Sequence, residues 1–449
     1  MQFVEEFSNS SADEEDGMLR TDLLPKNSGG SQNRRHQIHR GARRLARLLL
    51  CAPLVPILVM ISYSNIKDSV KLRRTGLVDW GYNISRNLSN YILPENDTTL
   101  MEPRHICNEK IFLLIVVCSS VHNFAARQNI RETWGNTSEF NYTIFEQLHK
   151  PFKGKYLEPI PERLKYYSNY LKGKDINLTV SPTAISVRVV FLIGRQKYES
   201  LQGNETLFRL RTESEQYNDI IQENFIDSYR NLTIKSVMML KWVQRHCLNN
   251  VAFIMKCDDD TFVNVPNLLH ILLGGTIPLY SDTLNMHDAR SYHVLANYNR
   301  LNVTHDLLMG RLFCGVSPIA DVSSKWYMPA YMFSGETYPN YLSGASYIMS
   351  SDVIRRLYLT ALNTSLVYLE DVYITGICAQ RAMLRRYHSP LFNFERSKSR
   401  CNCKGSITQH YIKNDAMFEL YAFVNNMNTS CAPPGKYFKT MRLHKGNCY

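Results

Sequence analysis

Three consecutive carboxylates, Asp258-Asp259-Asp260, close the apolar run Val251-Ala252-Phe253-Ile254-Met255, and a second apolar pair, Phe262-Val263, follows them. Apolar runs on both sides of a polar break read as strands, which puts the acids at a strand end. Adjacent like charges repel. A fold that gathers three of them either leaves them in water as a solvated turn or neutralises them with a cation. Hard divalent ions such as Mg²⁺ or Mn²⁺ take oxygen ligands and leave positions for phosphate. The flanking strands favour the cation.

The elements before the triplet set its context. Ile111 to Cys118 is apolar without interruption, the pattern of a strand covered on both faces in a mostly parallel sheet. Phe124 to Gly135 reads as a helix with a glycine cap. Arg127 and Arg131 share one face of it, either as a grip for phosphate or as a solvated surface. Residues 136–186 are polar, aromatic and proline-containing, an excursion between core elements. Val187 to Gly194 is a second core strand, Glu205 to Tyr217 is helix-compatible and Asp227 to Thr233 is a loop. Thr233 can cap a helix from Ile234 to Cys247. The order β-α-β-α-β ends on the carboxylates, a nucleotide-binding α/β pattern with ligand expected at the strand C-termini.

Further on, Tyr338 to Ser350 reads as a turn and a short strand, and a helix capped by Ser351 or Asp352 runs through Leu362. Glu370-Asp371 lies between apolar residues. There the acids either face a helix dipole or supply a base near a metal. His410 falls in a strand-like segment, either structural or a ligand.

The N-terminal region has a different character. Residues 1–44 read as a polar tail ending in arginines, 45–64 as a single membrane span and 65–109 as a stem, leaving 110–449 as the globular part. Arg34, Arg35, Arg40, Arg43, Arg44 and Arg47 place the N-terminus on the cytoplasmic side. Eleven glycosylation sequons follow the span and only Asn9 precedes it, which suits a lumenal C-terminal part. Ten of the 11 cysteines also follow it, so disulfides are expected, and Cys401-Asn402-Cys403 lacks a second pair at zinc spacing. The net charge of +12 suits an anionic partner such as a nucleotide diphosphate, and no nucleic-acid-binding module is visible.

Seven short motifs occur in one order: Arg127-Gln-Asn-Ile-Arg131-Glu-Thr-Trp134, Phe191-Leu-Ile-Gly194, Asp227 through Lys235, Asp258-Asp259-Asp260, Lys325-Trp326-Tyr-Met-Pro329, Tyr338 through Gly344, and Glu370-Asp371-Val372-Tyr373. Together they resemble the β-1,3-galactosyltransferase and β-1,3-N-acetylglucosaminyltransferase family, glycosyltransferase family 31, over about Lys110 to Val424. The resemblance implies a GT-A-type nucleotide-binding α/β domain on a single-span type II anchor in the Golgi membrane. It implies inverting transfer from a UDP-sugar to a glycan on a glycoprotein or glycolipid, with Mn²⁺ as cofactor. By the same resemblance, Asp260 and His410 hold the metal. Asp258 and Asp259 contact the ribose or support the metal, and Asp371 is the general base. Arg127 and Arg131 lie at the uracil and diphosphate end, with Asp227 and Lys235 also binding the nucleotide-sugar. Trp326, Tyr341, Gly344 and Glu370 line the donor and acceptor cleft.

Leu342 stands where the family usually has Cys, so one family disulfide is expected to be absent or re-paired. Lys325 to Pro329 leans toward galactose as donor, while the acidic triplet and Thr375 to Cys378 lean toward N-acetylglucosamine. Galactose is favoured over N-acetylglucosamine or N-acetylgalactosamine. A catalytically silent carbohydrate-binding protein and a glycoside hydrolase with paired carboxylates are the rivals from other classes.

Overall fold

The computed structural model describes residues 79–136, 139–141, 143–172, 184–197, 201–278, 280, 300–397, 399–429 and 431. The expected tail, the expected span and the stem up to residue 78 lie outside the described residues. Among the described residues no helix is long and apolar enough to cross a membrane.

Four parallel strands form the centre of a large sheet: β1 (Ile111–Cys118), β2 (Ala184–Arg195), β3 (Ile220–Ile226) and β4 (Val251–Asp258), in the order β3-β2-β1-β4. β6 (Tyr341–Ser350) pairs antiparallel with β4, and β5 (Leu308–Phe313) antiparallel with β6. Every residue of β1 is buried. Leu114 and Val116 pack into one hydrophobic cluster, and Leu113, Ile115 and Val117 into another, so the sheet is covered on both faces as its continuous apolar run requires. Helices α1 (Phe124–Glu132), α2 (Leu201–Tyr217) and α3 (Leu232–His246) lie between successive parallel strands.

β3 was not expected from the sequence, so the order gains one unit, β-α-β-α-β-α-β. Its apolar run is broken by Gln222 and Glu223, both buried. The Gln222 amide donates to the Gly194 carbonyl, and the Glu223 carboxylate accepts from Thr98 and Thr99. Satisfied polar groups inside a strand disguise it as a loop. Thr233 does not cap α3; its hydroxyl donates to the Val367 carbonyl.

The stem also ends earlier than expected. Trp80, Leu88, Tyr91 and Ile92 are buried in the main core. Thr99–Met101 pairs antiparallel with β3, and buried Lys241 donates to the carbonyls of Ile92 and Leu93 and to Thr98. Each such buried apolar side chain contributes about 1.5–3 kcal/mol, so residues from 80 onward belong to the folded body. The excursion carries the helices Thr143–Leu148 and Pro161–Tyr166, and Phe145, Phe152 and Tyr156 cluster with Tyr280.

A second, three-stranded sheet joins Phe262–Val263 to Thr408–Gln409 and Phe392–Asn393. Disulfides link Cys107 to Cys247 and Cys401 to Cys431. Cys403 is a free buried thiol, as is Cys378. Leu342, at the position of the family cysteine, is itself fully buried.

Candidate active site

β4 is in register with β1, with Cys118 opposite Asp258, so the acidic triplet emerges at the C-terminal edge of the two central strands. The chain turns there, with Thr261 N–H donating to the Asp258 carbonyl. The turn sends the three carboxylates in different directions. Asp259 accepts from Ser119 Oγ and Asn123 Nδ2, each at 2.7 Å. Asp260 lies 3.1 Å from His410 Nε2 and 3.7 Å from Lys413 Nζ. Asp258 places one oxygen 2.6 Å from Lys256 Nζ and the other 4.0 Å from His410 Nε2.

The small sheet delivers the histidine. Thr408 and Gln409 pair with Val263 and Phe262, and Ile412 N–H donates to the Asp260 carbonyl, which brings His410 against the turn. His410 Nδ1 is 3.1 Å from the Phe394 carbonyl. With Nδ1–H donating there, the Nε2 lone pair faces the carboxylates, as in metal-ligating histidines. One ligand atom each from Asp258, Asp260 and His410 can lie within 4.8 Å of one another, all half-buried. Two oxygens and one imidazole nitrogen fit Mn²⁺ and leave positions for phosphate oxygens. Burial pushes the Asp260 carboxyl up, but His410 and Lys413 outweigh this and hold it below the usual range. Burial pushes the His410 imidazole down, yet Asp260 and Asp258 raise it above its ordinary value. Asp258 therefore groups with Asp260 and His410, the residues that could hold a metal, and Asp259 is the acid turned toward Ser119 and α1.

Across from this group lies Asp371, at the N-terminus of a π-helix, Val372–Cys378. Its carboxylate accepts from Val372 N–H at 2.9 Å and Gly344 N–H at 3.2 Å. A Cβ on Gly344 would sit 3.3 Å from Asp371 Cβ and Oδ2, closer than most side-chain contacts, so a larger residue there would press on Asp371. Burial raises the Asp371 carboxyl above the usual range, and the two N–H groups partly offset it. This acid thus caps a helix, and its side chain stays half-buried.

Glu370 does not line the cleft as expected. It is buried, accepts from Tyr347 Oη at 2.7 Å and lies 3.8 Å from Lys256 Nζ. Lys256, buried within β4, also donates to the Gly344 carbonyl. Burial alone would discharge that ammonium, but the charges of Asp258 and Glu370 hold it well above the ordinary lysine value. Lys256 was missed as a site residue. Its signal was a lone charge inside an otherwise apolar strand, two residues before an acid.

The arginines differ most from expectation. Arg127 is fully buried. Its guanidinium donates to both oxygens of Glu213, to Ser119 Oγ and to the carbonyls of Ser120 and Val121. All five N–H groups are thereby used, leaving none for a diphosphate. Arg131 pairs with Glu213 and with Asp219, each at 2.7 Å, rather than offering a free phosphate grip. Asp227 and Lys235 form a buried pair at 2.7 Å, and Lys235 Nζ also donates to the Ser119 carbonyl. Arg127 and Lys235 hold the Ser119-Ser120 loop directly, while Arg131 and Asp227 pair with their neighbours behind it. Trp326 is 47% exposed, with Lys325 Nζ 4.5 Å above its ring; Tyr229, 45% exposed, lies beneath the same lysine. Tyr341 is half-buried against Phe313 and Tyr338.

Comparison with known proteins adds a lineage to this geometry. Residues 173–299 and 290–390 match the family model described as Galactosyltransferase. The chain is 30% identical over 333 residues to Beta-1,3-galactosyltransferase 1 of Homo sapiens, covering 74% of this chain and 79% of that protein. It is 28% identical over 337 residues to Beta-1,3-galactosyltransferase 2 of Homo sapiens, covering 74% and 63%. It is 32% identical over 284 residues to Lactosylceramide 1,3-N-acetyl-beta-D-glucosaminyltransferase A of Danio rerio, covering 62% and 57%.

Proposed function

The chain belongs to the galactosyltransferase family, and from that premise we propose that it is an inverting β-1,3-glycosyltransferase moving galactose from UDP-galactose to a sugar hydroxyl of a glycoprotein or glycolipid. The observation that carries the reading is the placement of Asp371. It is a raised, half-buried carboxylate, with no ion pair among the described residues, one glycine away from the network that holds Asp258.

An acceptor hydroxyl is a poor nucleophile until a base within about 2.6–3.2 Å takes its proton as it attacks. Asp371 is oriented for this by Val372 N–H and Gly344 N–H, and its raised affinity for a proton makes it the stronger base. Attack from the face opposite the leaving group inverts the anomeric carbon and requires no protein nucleophile. A retaining hydrolase would need a second carboxylate about 5–5.5 Å from the first. The neighbouring Glu370 is buried under Tyr347 and Lys256, which disfavours that role. Asp258, Asp260 and His410 would hold Mn²⁺, whose charge would stabilise the β-phosphate of departing UDP. Asp259, Asn123 and the Ser119 loop would border the nucleotide. Exposed Trp326 and Tyr229 offer aromatic faces to an acceptor sugar.

The location we propose is the Golgi membrane, with residues 45–64 as a single type II span and the folded body in the lumen. The disulfides Cys107–Cys247 and Cys401–Cys431 suit an oxidising compartment.

The test is UDP release by the full-length chain in detergent, with a panel of UDP-sugars and acceptors, with and without Mn²⁺. Acceptor-stimulated, Mn²⁺-dependent turnover of UDP-galactose is expected. Turnover of UDP-N-acetylglucosamine alone would replace the donor. No turnover of any donor by a folded chain that binds glycans would replace the enzyme with a binding protein.

A further inference from the structure

We infer that Lys256 is the positioning residue that fixes the metal-side carboxylate Asp258 and the base Asp371 relative to one another, acting through Gly344. The inference rests on the transferase reading above.

Its geometry is specific. Lys256 is 3% exposed on β4, a strand whose other members up to Cys257 are all apolar. Its ammonium reaches three elements: it donates to Asp258 Oδ1 at 2.6 Å at the end of β4 and to the Gly344 carbonyl on β6, and it pairs with Glu370 Oε2 at 3.8 Å just before the π-helix. Holding Oδ1 leaves Asp258 Oδ2 to face His410. Gly344 is the second joint. Its carbonyl accepts from Lys256 while its N–H donates to Asp371 Oδ2. The third contact draws Glu370, adjacent to the base, toward the same ammonium. One buried cation therefore spans both halves of the site.

A buried lysine is also a structural liability, because removing it strands two carboxylates. The experiment separates the two effects. Lys256→Met and the double variant Lys256→Met/Glu370→Gln are made in the full-length chain; the double variant no longer leaves Glu370 charged and unpaired. Thermal melting, Mn²⁺-dependent UDP binding by calorimetry, and kcat and acceptor KM are measured beside the wild type, whose own turnover tests the transferase reading independently.

The expected result is a double variant that melts near the wild type, binds UDP at least tenfold more weakly in Mn²⁺, and has a kcat about 100-fold lower with acceptor KM within threefold. A loss of that size is what a misplacement of about 1 Å produces. A double variant with native melting and with kcat and UDP binding both within twofold of wild type would overturn the inference. If neither lysine variant folds, Gly344→Ala decides. It keeps every buried charge paired and presses most closely on Asp371, at 3.3 Å, with Glu370 Oε2 next at 3.4 Å. A tenfold fall in kcat with unchanged Mn²⁺-dependent UDP binding supports the Gly344 link, and an unchanged kcat overturns it.

Discussion

Two charged clusters border the C-terminal edge of the central strands, and they are built on opposite principles. Around Arg127, two guanidinium groups meet Glu213 and Asp219, and every donor of the buried arginine is used. Around Asp260, two carboxylates and a histidine converge half-buried; His410 and the exposed Lys413 answer the charge of Asp260, and buried Lys256 holds one oxygen of Asp258. The first cluster is closed and the second is open. A closed cluster stiffens a loop. An open one retains capacity for a cation and an anionic ligand. Both looked alike in the sequence, as charges near a strand end.

The sharpest way to test the open side is Asp371→Asn. Transfer should fall on the order of 10²–10⁴-fold while UDP still binds in Mn²⁺, as measured by turnover and calorimetry. Turnover near the wild-type rate would remove Asp371 as the base. On the closed side, Arg127→Met leaves Glu213 buried without its main partner and should destabilise the fold by about 3–5 kcal/mol, read by denaturant unfolding. UDP affinity measured on the folded fraction should hardly change; a tenfold loss there would open the cluster again. Asp260→Ala should abolish the Mn²⁺ dependence of UDP binding with little change in melting temperature, since the half-buried carboxylate has only His410 and the exposed Lys413 as charge partners among the described residues. Unchanged Mn²⁺-dependent binding would remove it from the metal site.

The smallest effect is a pH dependence confined to the closed cluster. Burial pushes the Glu213 carboxyl up, but the hydrogen bonds and charges of Arg127 and Arg131 outweigh it and hold it below the usual glutamate value. A depressed carboxylate adds stability that is fully present above its unfolded pKa and is lost as pH falls through the folded one. Melting temperature should therefore decline below about pH 4.5, and Glu213→Gln should flatten that part of the profile. An identical acid profile in both proteins would show that Glu213 is not the group responsible.

Some of the site was legible from local pattern. The run Val251 to Met255 fixed β4, and with it the position of the acids at a strand end. Glu370-Asp371 between apolar residues placed a helix start. Other parts were hidden for identifiable reasons. β3 escaped because Gln222 and Glu223 are buried but satisfied, and satisfaction leaves no trace in a hydrophobic pattern. Trp80 to Met101 read as a spacer because its apolar residues are sparse, yet Trp80, Leu88, Tyr91 and Ile92 join the main core and Thr99–Met101 pairs with β3. Glu213 lay in a polar helix with nothing to mark it as the partner of Arg127.

What the sequence determined by itself was therefore the run of secondary structure and the kinds of group at each strand end, because strand and helix preferences act between near neighbours. Only the tertiary structure decided which groups meet. It turned Asp259 toward Ser119 while keeping Asp258 and Asp260 together. It brought His410 to them through the pairing of Thr408–Gln409 with Phe262–Val263, and closed Arg127 off with Glu213. Electrostatic partnership falls steeply with distance and with exposure to water, so it is fixed by packing between segments far apart in the chain.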